Sequence, residues 1–156
     1  MLTVPHAIMG ATIASKVSNP LLFPPLAILS HFLLDFLIPH WNPHLYTEYH
    51  TKKSLTKTTK EIIFLDGLLA IISTAFIASL KLPNLNQAFF IFLGAGFGVL
   101  PDAIEIPHYF FGFRNKILSA YIKFGHDHQK KASFFPGLVT QLLTVLICLL
   151  VIFLIS

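Results

Sequence analysis

Hydrophobic positions along this chain gather into long continuous runs, with no polar residue at every second place. Four runs approach the roughly 20 apolar residues needed to cross a bilayer: 21–38, 62–80, 88–106 and 134–155. A fifth, 4–17, is short for a full crossing and is expected to sit tilted or partly inserted. Unbroken runs predict helices, which satisfy their own backbone hydrogen bonds in lipid, whereas the strands of a lipid-facing barrel would alternate. The expected fold is therefore all-α, a polytopic transmembrane bundle of four to five membrane helices in a single domain spanning residues 1–156.

Composition agrees. Of the 156 residues 54% are hydrophobic and 12% charged, about half the charge of an average soluble domain. That excludes a disordered chain and fits a nucleic-acid module badly. One cysteine, Cys148, excludes an internal disulfide framework or a cysteine-based zinc knuckle. The N-terminus has no basic segment and no clear cleavage site, so it is read as retained and not as a signal peptide.

Charge then sets an orientation. The connection 39–61 carries Lys52, Lys53, Lys57 and Lys60, and 107–133 carries Arg114, Lys116, Lys123, Lys130 and Lys131. Two spans separate these connections, so both fall on one side, and only Lys16 and Lys81 fall on the other. The excess of basic residues predicts that the long connections are cytoplasmic, with the N-terminus inside and the C-terminus outside an inner cell membrane.

On that map all eight histidines and all seven acids fall in the cytoplasmic loops or the cytoplasmic halves of helices. His44, Glu48, His50, Glu61 and Asp127 are explained by long loops collecting polar residues. Asp35, Asp66 and Asp102 are not, because a carboxylate within a span costs about 2.5–3.5 kcal/mol on insertion scales. Like charges at one depth must share protons or a cation, and the neighbouring histidines favour a metal. His31 and Asp35 are four residues apart on one helix face, and Asp102 and Glu105 are three apart. Imidazole and carboxylate donors suit a zinc-like divalent ion. His126-Asp127-His128 is expected to bring two imidazoles from a flexible loop.

Other features carry less chemistry. Asp35 to Trp41 is echoed by Asp102 to Tyr109, each an acid, an apolar turn, Pro-His and an aromatic residue. Helices 1–2 and 3–4 then look like parallel repeats, with Asp66 in the place of His6. Trp41, Tyr46, Tyr49 and Tyr109 fit an interfacial aromatic belt. Gly94, Gly96 and Gly98 lie inside an apolar run and predict close helix packing, not a dinucleotide loop. Cys148 is read as lipid-facing or packing.

His6 before a small-residue helix, Leu100-Pro101-Asp102, His31-xxx-Asp35 and the loop histidine pair resemble the YdjM-type inner-membrane metal-dependent hydrolases. The resemblance spans most of the chain in architecture and only short motifs in residues. His31-xxx-Asp35 precedes Leu-Pro-Asp here instead of following the histidine pair. Ile104 stands where that family has a second aspartate, and the Arg, Thr and Ser of its histidine motif are missing. The likeness implies a small helical membrane enzyme that hydrolyses its substrate with a metal.

Together these readings point to a metal-dependent hydrolase of an ester or phosphoester, in keeping with a membrane lipid as substrate. His6, His31, Asp35, Asp102, His126 and His128 are the expected ligands of one or two zinc-like ions. Glu105 is the expected general base, and Asp66 an orienting residue or further ligand. Arg114, Lys130 and Lys131 are placed to hold an anionic lipid headgroup. Two other readings stay open: a small ion, metal or proton-coupled transporter using the aspartates as a relay, and a non-enzymatic membrane scaffold.

Overall fold

A computed structural model describes residues 1–17 and 19–154. Its regular structure is helical: α1 (Thr3–Lys16), α2 (Phe23–Leu37), α3 (Leu45–Lys52), α4 (Lys57–Ser79), α5 (Leu85–Ala103), α6 (Ile106–Phe111), α7 (Lys116–His128) and α8 (Phe134–Leu154). Three helices, α4, α5 and α8, are long and apolar enough to cross a membrane. The α2 helix is apolar but shorter, and the 14 residues of α1 give only about 21 Å of length. The five expected apolar helices are present with shifted ends, and Ile155 lies outside the described residues.

Local chemistry sets those ends. Thr56 caps α4 by accepting from the Thr59 amide, so the helix begins a turn and a half before its apolar stretch. Asn84 caps α5 by accepting from the Gln87 amide. The run expected to continue to 106 breaks after Ala103. Pro107 has no N–H for the Ala103 carbonyl, and it opens α6, where a missing donor costs nothing. The two polar connections are not loops throughout: they hold α3, α6 and α7. In particular, His126, Asp127 and His128 form the last turn of α7 instead of a flexible loop. Asn115 caps that helix, and two histidines in its final turn suit the negative end of the helix dipole.

At the centre lies α1, packed against α2, α4, α5 and α8. Its residues Ala7, Ile8 and Ala11 meet Ile77, Ile91, Ala95, Cys148 and Ile152 in the main core. Cys148 is thus a buried packing residue, with Sγ 3.9 Å from Met9 Sδ. The outer faces of α4 and α8 expose Phe64, Ile71, Phe76, Leu142, Ile147 and Phe153, an apolar surface far larger than water tolerates on a monomer.

The closest approach is between α1 and α5. A Cβ added at Gly98 would lie 2.4 Å from the His6 carbonyl oxygen, and one at Gly94 would lie 2.4 Å from that of Gly10. Backbone therefore rests on backbone, as small residues permit between helices in lipid. Gly96, on the other side of α5, has nothing within 4 Å of such a Cβ. Gly98→Ala must push α1 from α5 and is expected to cost about 1–3 kcal/mol, the range for overpacking. Gly96→Ala should be neutral or slightly stabilising, because alanine is the better helix former. Thermal melts of the two variants in detergent, run side by side, check the pair.

Candidate metal centre

The α1–α5 contact places the site. His6 lies on the first turns of α1 beside the Gly98 carbonyl region, and Asp102 follows one turn later at the end of α5. The α2 helix presents His31 and Asp35 on one buried face. One ligand atom each from His6, His31 and Asp102 lie within 4.8 Å of one another. Three helices so supply two imidazoles and one carboxylate to a common focus.

The histidines are prepared as lone-pair donors. His31 is fixed by its Nδ1, 2.9 Å from the Gly98 carbonyl oxygen. Donation there leaves Nε2 unprotonated, 3.6 Å from Asp102 Oδ1 and 3.8 Å from an Asp35 oxygen. Anchoring one ring nitrogen on a carbonyl is the usual way a ligating histidine is held. The His6 ring stacks on His31 with centroids 3.9 Å apart. It has no solvent exposure; its Nδ1 has no hydrogen-bond partner, and its Nε2 faces only the Asp35 carboxylate, at 3.2 Å. A buried polar group without a partner is costly, so the donor set fits a bound cation.

Asp35 stands directly behind that set. Its Oδ1 accepts from the Met1 ammonium at 2.5 Å and lies 3.2 Å from His6 Nε2. Its Oδ2 accepts from Gln129 Nε2 at 3.2 Å. Gln129 arrives because the segment after α7 runs beside the end of α2: the Lys130 amide donates to the Asp35 carbonyl, and the His40 amide donates to that of Lys130. His40 is buried too, with Nδ1 2.9 Å from the Ile38 oxygen and an unpartnered Nε2 3.6 Å from Asp35 Oδ1. Burial pushes its imidazole down to about 4, so the ring is neutral at physiological pH. His40 and Gln129 were missed as site residues by sequence reasoning. The echoed Pro-His-aromatic motif was the available signal for the first.

The remaining expected site residues lie around this focus without joining the three-donor set. Asp66 accepts from the Thr3 amide at 2.5 Å and the Val4 amide at 3.2 Å, serving the start of α1. His126 stacks on Tyr46, with Nδ1 3.0 Å from Asp127 and Nε2 2.7 Å from Lys131 Nζ. His128 has its Nδ1 on the Phe124 carbonyl oxygen and its ring against Phe36 and Phe124. Lys130 contributes backbone only to the segment beside α2, and Arg114 lies in a separate small pocket.

Beside the donor set opens a cavity of about 690 Å³ between α1, α4 and α5. Part of its wall is apolar, with Ala70, Ile71, Phe92 and Val99, and another part carries Asp66, Asp102, Glu105, His126 and Lys131. Asp102 is the shared wall between cavity and donors. No protein-family model, curated protein or solved structure matches the chain.

Glu105 is half-buried in this wall. Burial, and then the Asp102 carboxylate, pushes its carboxyl up to about 8. Folding therefore favours the protonated form: the stabilisation is full below the ordinary value of 4.5 and is lost as pH rises through about 8. Metal-free wild-type protein is expected to lose melting temperature between pH 6 and pH 9, and Glu105→Gln, which cannot ionise, should lose less. Equal slopes for the two proteins would show that the Glu105 carboxyl does not carry this dependence.

Proposed function

We propose that this protein is a multi-pass membrane hydrolase that cleaves an ester or phosphoester bond of a membrane amphiphile with a divalent metal, zinc by donor type. The observation that carries this reading is the meeting of His6, His31 and Asp102 from three helices, with the buried Nδ1 of His6 otherwise orphaned. Two histidines and a carboxylate leave a coordination position open, as in catalytic zinc sites and unlike closed structural ones. When bound, the metal supplies Lewis acidity and an acidified water. The kinship with YdjM-type hydrolases belongs to the same proposal.

The chain's own residues divide the remaining work. Asp35 and His40 back the ligands, and Asp35 shares its charge with the Met1 ammonium. Glu105 is the proton carrier: it lines the cavity with Asp102 and is poised near neutrality. Asp66 holds the start of α1, and with it His6, in place. The apolar wall of the cavity accepts an acyl chain, while His126 and Lys131 line its polar part. With α1 and α2 completing the bundle beside α4, α5 and α8, the helices make four to five spans of an inner membrane. The lysine-rich connections then lie in the cytoplasm. A carrier would need Asp35, Asp66 and Asp102 as a free relay, and the first two are engaged by an ammonium and by backbone amides.

Purified full-length protein is expected to hold zinc in near-stoichiometric amount and to hydrolyse p-nitrophenyl octanoate or bis-p-nitrophenyl phosphate in a chelator-sensitive manner. His6→Ala and Asp102→Ala should lose the metal, and His126→Ala should keep it. Glu105→Gln should keep the metal and slow hydrolysis by roughly 10²–10⁴-fold, the usual worth of a proton-transfer group. Metal content unchanged in both His6→Ala and Asp102→Ala would overturn the assignment.

A further inference from the structure

A second Pro-His motif, Pro107-His108, is not used by the metal centre. His108 is buried, and its Nδ1 is held 3.1 Å from the Phe113 carbonyl oxygen. Its Nε2 is buried with no hydrogen-bond partner. The ring lines a pocket of about 220 Å³ together with Tyr49, His50, Lys53, Arg114 and Ser119. Four of these six side chains carry or can take up a positive charge, and none is an acid. Neither Lys53 nor Arg114 has a carboxylate partner among the described residues. The nearby Glu48 is engaged instead by Lys52, Thr56 and Thr59.

Lys53 adds a conformational clue. It ends α3 at φ 59°, in the left-handed region where glycine is the unstrained choice. A lysine kept at that position delivers an ammonium to the pocket wall. We propose that this pocket binds a phosphate group, with Arg114 and Lys53 pairing its oxygens and the unpartnered His108 Nε2 as a further polar contact. Guanidinium and ammonium donors are the usual partners of phosphate. Phe111, Phe113 and Ile117 flank Arg114 and are 80%, 55% and 82% exposed. Large apolar side chains bared around a cationic pocket suit an interface where acyl chains and headgroups meet. They make a lipid headgroup the favoured source of the phosphate over the free ion. This site is distinct from the metal centre and does not depend on hydrolysis.

The test uses full-length protein in detergent with a chelator present, so that no bound metal contributes. Binding of dioctanoyl phosphatidic acid, inorganic phosphate and dioctanoylglycerol is followed by native mass spectrometry. Both Lys53 and Arg114 are exposed, and Lys53→Gly relieves the backbone, so Lys53→Gly/Arg114→Gln is expected to fold. Each lost charge-assisted contact should weaken phosphatidic acid binding by about tenfold or more. Inorganic phosphate competing at equal concentration would identify the free ion as the source, and competition only at large excess would identify the lipid. Either result supports a phosphate site. Equal binding of phosphatidic acid by wild type and double variant, or binding of dioctanoylglycerol as tight as that of phosphatidic acid, would overturn it.

Discussion

Helix α1 begins within the bundle, half-buried beside the cavity, and its first amide groups find their acceptors in the protein. No side chain of its own caps it. The acceptors come from other helices: Gln141 of α8 takes the Leu2 amide at 2.8 Å, and Asp66 of α4 takes those of Thr3 and Val4. An unpaired amide in hydrocarbon costs several kcal/mol, which explains why a carboxylate and a carboxamide are kept in these otherwise apolar helices. The positive end of the α1 dipole also favours negative charge there. Asp66 is thus held by the same backbone that it satisfies.

The candidate metal centre grows from this arrangement. Once the start of α1 is fixed from two sides, the glycine contact with α5 sets its height. His6 then falls level with Asp102, and α2 needs only an i, i+4 pair to complete the ring of donors. The charges are distributed with some economy. Asp35 meets the Met1 ammonium and the amide of Gln129, whereas Asp102 faces the cavity and the His31 ring. One carboxylate is balanced by the protein, and the other remains available to an exogenous cation. That division separates the two acids more clearly than their equal depth along the sequence implied.

Much of this was legible before the fold was known. Continuous apolar runs located the five long or apolar helices, since a lipid environment leaves few other solutions for the backbone. The His31 to Asp35 spacing identified a shared face because helical periodicity alone fixes it, and Gly94 and Gly98 foretold the close crossing. What hydropathy does not register is a polar helix. The α3 and α7 helices are built from caps and charged turns, so the histidines of α7 were expected in a loop, whereas its last turn holds them on Tyr46 and Phe124. Asp66 carried no local sign of its amide partners, which lie more than 60 residues away. Long-range backbone satisfaction has no sequence period to betray it.

The two Pro-His motifs show how one local device acquires different chemistry from its surroundings. In both, Nδ1 is secured by a backbone carbonyl within five residues and Nε2 is left bare and buried. That wiring is local in both, to Ile38 just before Pro39 and to Phe113 just after α6, and owes little to tertiary contacts. His40 then meets the Asp35 carboxylate, packed between α8 and the segment after α7. His108 instead meets Tyr49 and His50 of α3, near the uncompensated Lys53 and Arg114. The same local wiring thus leaves one bare nitrogen beside a carboxylate and the other beside cationic side chains, so the surroundings and not the motif set what each ring can meet.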